Sequence, residues 1–164
     1  MLINTLELLS DAQAITVDAI STKVYDSLPN GGAINSGSTG GPTANTTTNL
    51  GAGKPKYLYV LVDTAFTTGD AGVLTVTLES DDNTSLSSAT VHATYAPLTA
   101  AATLVAGYWI CKGVPIPSGL YQRYVGLRYL TTTGDMTAGK IMAWLSDAPY
   151  SDEQYRSGIT TGVN

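Results

Sequence analysis

Residues 123–147 read RYVGLRYLTTTGDMTAGKIMAWLSD, and what this stretch forms decides the fold. Gly134, Gly139 and Lys140 have the spacing of a phosphate-binding loop, which would make the chain a nucleotide-binding α/β protein. Three features oppose that reading. Position 141 is Ile, so the hydroxyl that would hold Mg²⁺ is missing. A phosphate loop needs a helix behind it, whose first amides and dipole receive the phosphates. KIMAWL instead mixes β-branched and aromatic residues and runs only a few positions before Asp147-Ala148-Pro149, as a strand would. The stretch therefore predicts two strands joined by a hairpin connection over 131–139, with Gly134 and Gly139 at the tight backbone positions.

Working outward, the same alternation recurs. GVLTVTLES (72–80) sets Leu74, Val76 and Leu78 inward against Thr75, Thr77 and Glu79 outward. YLYVLVDTAF (57–66) is apolar on both parities, the mark of a central strand covered on both faces. AISTKVYDSL (19–28) reads as a strand stopped by Pro29-Asn30-Gly31-Gly32, and weaker strands are expected at 89–95 and 104–113. Two prolines confine VPIPSG to a loop or an edge. Seven or eight short strands with no convincing helix predict an all-β chain, an antiparallel β-sandwich or jelly roll.

Composition agrees. Thr supplies 24 of the 164 residues and Gly 17, while charged residues make up 13%, about half the usual share. From Pro29 to Gly53 no residue is charged, so 29–53 is expected to be a long polar loop, and 148–164 a C-terminal tail after a 1–147 domain. The net charge of −5 and scattered Lys and Arg disfavour nucleic acid. The N-terminus lacks the pattern of a signal peptide, and no apolar run approaches the roughly 20 residues of a membrane helix.

Chemistry finds little footing. His92 is the single histidine and Cys111 the single cysteine, which leaves no nucleophilic triad pattern and no usual transition-metal set. His92 is expected to be a hydrogen-bonded or surface side chain, and Cys111 a small buried one. Asp81-Asp82-Asn83 lacks the ligand pattern of a calcium loop and reads as a polar turn. Scattered acids leave a two-carboxylate hydrolase remote. Five of the ten tyrosines lie at or after position 121, where they would suit an interface, a sugar platform or the core. Arg123 and Arg128, set among them, are expected to pair with carboxylates or stack on rings.

Three stretches in order, LSDAQAIT with DAISTKVYD, then GKPKYLYVLVDTAFTTGDAGVLTVTLESDD, then VPIPSGLYQRYVGLRYLTTTGDMTAGKIMAWL, resemble the capsid decoration (cement) proteins of short-tailed bacteriophages. The most specific part is RYVGLRY joined through a Thr- and Gly-rich turn to TAGKI. The likeness covers about three quarters of the chain; the 29–53 loop and the tail depart from it. It implies a jelly-roll-like domain, made in the host cytoplasm, on the outer surface of the virion. It further implies binding across junctions of an HK97-type major capsid protein, as a homo-oligomer with dimers favoured and trimers possible. It brings no catalytic residue and no cofactor.

The expectation is thus a structural protein without enzyme activity, nucleic acid or membrane partner. Its contact candidates are Leu2, Ile3 and Leu6 at the N-terminus, Tyr121 and Arg123, and Tyr150, Tyr155 and Arg156 in the tail. The competing expectation is a carbohydrate-binding β-sandwich, a head fibre or adhesion domain, stacking sugars on late tyrosines and Trp109 or Trp144. An exposed aromatic row on one face would favour it.

Overall fold

A computed structural model describes residues 6–27, 48–50 and 55–147. Eleven strands and one helical turn follow in the order β1 Leu8–Ala14, β2 Ala19–Ile20, β3 Tyr25–Asp26, β4 Thr48–Leu50, β5 Tyr57–Thr68, β6 Val73–Asp81, β7 Thr90–Thr99, α1 Ala100–Thr103, β8 Trp109–Pro115, β9 Gly119–Tyr121, β10 Tyr124–Thr132 and β11 Met136–Ser146. One antiparallel sheet runs β1-β11-β5-β8 and the other β2-β10-β6-β7, with β3 also on β10. Counting β2 and β3 as one interrupted strand, this is the strand order of a jelly roll, the sandwich that double Greek keys produce.

Period-two patterning builds the core. Leu58, Val60 and Val62 of β5 and Ile141, Ala143 and Leu145 of β11 face Leu74, Val76 and Leu78 of β6 and Val125, Leu127 and Tyr129 of β10. Tyr129 reaches across to the other sheet, its hydroxyl 2.8 Å from Ser10 Oγ of β1. Cys111 is buried in the same core, as expected.

Four expectations are corrected. The 131–139 segment is no hairpin: β10 pairs with β6 and β11 with β5 and β1, so the turn crosses from one sheet to the other. Thr133 at φ 66° and Gly134 at φ 138° make the corner. Residues 8–14, where the sequence predicts no strand, form β1; Ala12 at φ 45° and two register shifts break the alternation that would have announced it. The 19–28 strand is two short pairings, because between them the chain bends from Leu127 of β10 to Leu9 of β1 through Ser21 and Lys23 amides. Thr77 and Glu79 of β6 do point away from the core, yet both are buried. Arg128 Nε binds Glu79 at 2.9 Å and its Nη2 donates to the Leu86 carbonyl, holding the 82–89 loop near that side chain.

Other expectations stand. Pro115 ends β8, an edge strand. Most of the 29–53 loop and all of the 148–164 tail lie outside the described residues. Within that loop, Thr48–Leu50 pairs with Gly119–Tyr121.

Candidate interaction surface

Lys56, just before β5, gathers three parts of the chain. Its ammonium donates to Glu7 Oε1 at 2.6 Å and to Asp147 Oδ1 at 2.8 Å, and lies 4.7 Å from the Tyr25 ring centre. Burial by itself would lower its pKa; the bonds to Asp147 and Glu7 outweigh that and lift it to about 12. Glu7 leads into β1, Asp147 follows β11, and Tyr25 and Lys56 stand at the two roots of the long loop. One end of the sandwich is therefore where the N-terminal segment, the loop and the tail all begin.

The loop's own roots are stitched beside this point. Ser27 Oγ lies 2.9 Å from Thr48 Oγ1, and the Ser27 amide donates to the Arg123 carbonyl. Arg123 clasps Asp26 with two bonds, Nε at 3.1 Å and Nη2 at 2.9 Å, over the Tyr124 ring. Arg123 and Arg128 thus do what the sequence suggested, each holding a carboxylate.

From that end an aromatic field spreads over the outer face of the β1-β11-β5-β8 sheet. Paired residues form a row across it, Leu8, Trp144, Tyr59 and Lys112. Met142, Leu61 and Trp109 make the next row. Tyr59 and Trp144 stack with parallel rings, and Trp109 meets both edge-on at 6.1 and 5.8 Å. Tyr59 is 0% exposed and Trp144 3%, although both point out of the sandwich. The doubled apolar parity of 57–66 pointed to this cover on both faces.

Contact candidates fare differently. Leu6 is 75% exposed beside Glu7, and Arg123 is half-buried in its ion pair. Tyr121 is a correction: its ring is fully buried, stacked 3.8 Å from the His92 ring, with its hydroxyl spent on the Pro117 carbonyl. An apolar ring at the closed end of the core is worth more inside than at a rim. Leu2, Ile3, Tyr150, Tyr155 and Arg156 lie outside the described residues. Sequence reasoning missed Lys56, Glu7 and Asp147, because their meeting joins positions far apart in the chain.

Among the described residues, the arrangement that resembles a catalytic pair does not expose a nucleophile. Ser80 Oγ is 2.7 Å from His92 Nε2, but Ser80 is fully buried and its oxygen already accepts from the Gln122 amide. Burial lowers the His92 pKa, which favours the neutral ring of a structural hydrogen bond. Among the described residues no three His, Cys, Asp or Glu side chains gather as a metal site.

These features define a jelly-roll sandwich at one pole of which Glu7, Tyr25, Lys56 and Asp147 meet. The chain belongs to the Bbp16 family, whose profile matches residues 9–145, almost the whole span from β1 to β11. No curated protein matches the chain.

Proposed function

We propose that the protein decorates the outside of a tailed-phage capsid, cementing neighbouring subunits of an HK97-type major capsid protein as a homo-oligomer. The observation that carries this reading is the convergence at Lys56: the described residues next to the N-terminal segment, the 29–53 loop and the 148–164 tail meet at one pole, an arrangement that suits one copy engaging several capsid subunits. The family's name, which points to a phage protein, supports it.

Cementing is linkage. A protein that binds the assembled shell and not its separated subunits stabilises the shell by its binding free energy. Several weak contacts from one copy raise effective concentration, so none needs to be tight alone. A stable attachment would bury roughly 1,200 Å² or more in total.

The carbohydrate reading draws less support. An aromatic row is present, but Tyr59 and Trp144 cover each other's faces, whereas a sugar platform needs an open ring face.

The test mixes purified protein with undecorated heads. Co-sedimentation and a raised melting temperature of the heads are expected, and a chain with 29–46 replaced by a short Gly-Ser linker should fold yet bind less. Absence of co-sedimentation with intact heads would sink the proposal.

A further inference from the structure

The β4-β9 ribbon belongs to neither large sheet: among the described residues Gly119–Tyr121 pairs with Thr48–Leu50 and with no other strand. Side chains must therefore hold it against the sandwich. The Tyr121 ring is buried in the core and Leu50 packs against the same cluster. Two further ties meet at one oxygen of β6, where Ser80 Oγ accepts the Gln122 amide at 3.0 Å and lies 2.7 Å from His92 Nε2 of β7. His92 in turn stacks on the Tyr121 ring, with centroids 3.8 Å apart and planes 24° apart. It thus holds the ribbon twice, through its ring face and through Ser80.

Proton counting fixes the state of that ring. A backbone amide only donates, so Ser80 Oγ receives the Gln122 proton and must give its own hydroxyl proton elsewhere. Ser80 is fully buried, which denies it water, and His92 Nε2 is the acceptor within reach among the described residues. A hydroxyl that donates to Nε2 needs that nitrogen bare, so the ring is neutral with its proton on Nδ1. A second ring proton makes Nε2 a donor. It then points at an oxygen whose own proton has lost its acceptor, in a place where an unmet donor is costly.

The charged neighbours are engaged elsewhere. β7 itself, Thr90–Thr99, carries no charged side chain. On β6, Glu79 is held by Arg128, and Asp81 turns its carboxylate to the Asn83 and Ser88 amides. Beyond β9, Arg123 is committed to Asp26. Tyr95 and Cys111, whose pKa values burial raises, stay neutral near Tyr121. Burial also disfavours charge on His92, whose pKa it lowers.

We propose that His92 is an acid-sensitive latch on the β4-β9 ribbon: the neutral ring seats Tyr121 and takes the Ser80 proton, and protonation loosens the ribbon while the two large sheets stay paired. Because the folded pKa is depressed, the latch contributes in full above the ordinary value of 6.5 and fades as pH falls through the folded one. Residues 48–50 lie in the 29–53 stretch, so the latch sets how firmly that part of the stretch is held, whatever partner the protein binds.

His92 is the single histidine, so its ring resonances in the full chain are assigned without ambiguity. An NMR titration should place its midpoint below 6.5. Amide hydrogen exchange, expressed as protection factors corrected for the intrinsic effect of pH, should show protection at Gln122 and at 119–121 roughly tenfold lower at about pH 5 than at about pH 7.5. Val76 and Leu78 of β6 should keep theirs. His92→Phe, which leaves a ring beneath Tyr121 that cannot take a charge, should remove the pH dependence. Ser80→Ala covers the case in which that variant does not fold: with the hydroxyl gone, the His92 midpoint should rise. A wild-type midpoint at or above the ordinary value, pH-independent protection at Gln122, or a dependence that survives His92→Phe overturns the latch. Equal losses at Val76 and Leu78 overturn its confinement to the ribbon, and an unmoved midpoint in Ser80→Ala overturns the part given to Ser80.

Discussion

Tyr59 of β5 and Trp144 of β11 are directly paired across their strands and stack with ring planes 2° apart and centroids 5.2 Å apart, on the side of the sandwich away from its core. The pair acts as the centre of a second, smaller core in which Leu8 is also buried. Trp144→Ala should therefore cost about 3–5 kcal/mol, as in a true interior. Tyr59→Phe, which keeps the stack, should cost less than about 1.5 kcal/mol. Urea unfolding of the three proteins checks this; an alanine effect below that of the phenylalanine variant would show that the face is not a core.

Lys56→Met removes the cation that Glu7 and Asp147 share. Two carboxylates are then left together, one of them well shielded, and a loss of about 1–2 kcal/mol is expected after allowing for the half-exposed Asp147. The folded pKa of Lys56, about 12, lies above its ordinary 10.5. Its contribution is accordingly complete below the ordinary value and fades as pH rises through the folded one. Unfolding midpoints of the wild type and the Met variant should differ clearly at neutral pH and converge in strong alkali.

Gly139 is held at φ 146°, and a Cβ there would sit 2.3 Å from Phe66 Cδ1. Gly139→Ala should cost at least about 2 kcal/mol through strain and overlap together. Phe66→Leu made in the same chain should recover part of the loss, giving a double-mutant coupling that opposes the separate effects. Additive losses would mean that the two residues do not meet as described.

Alkali should unfold the sandwich from within. Burial raises the phenol of Tyr129 well above its usual range, and it lifts the Tyr121 phenol and the Cys111 thiol each to about 12. Each group is neutral in the folded state, so its contribution is full below its unfolded pKa and is lost as pH rises beyond it. Stability measured by denaturant titration should fall above about pH 10. Phenolate absorbance should include a step that coincides with loss of near-ultraviolet circular dichroism. Tyr129→Phe should weaken that dependence, at the expense of the bond to Ser10.

The sheets were legible where one residue in two is apolar, as in 72–80 and 123–147, and the double parity of 57–66 pointed to the covered outer face. Turns were not. A short Thr- and Gly-rich link between two amphipathic strands serves equally for strands that bond side by side and for strands that face each other across a core, so 131–139 reads as a hairpin connection. β1 escaped because bulges erase the alternation on which strand reading depends. Tyr121 misled for a related reason: a tyrosine near a strand end has the same chemistry whether its ring turns out to a partner or in beneath a histidine. Lys56 was invisible because a solitary lysine declares itself only through the two acids that the fold brings to it.

The contact of Ser27 Oγ with Thr48 Oγ1 closes the chain around the intervening residues as a clasp closes a necklace. The entropy of a loop with tethered ends rises only with the logarithm of its length, by about 0.6 kcal/mol per doubling. Across generations the segment is thus free to lengthen, shorten or change its letters while the strands on either side keep their register. Differences in length between related chains are accordingly expected between those two hydroxyls.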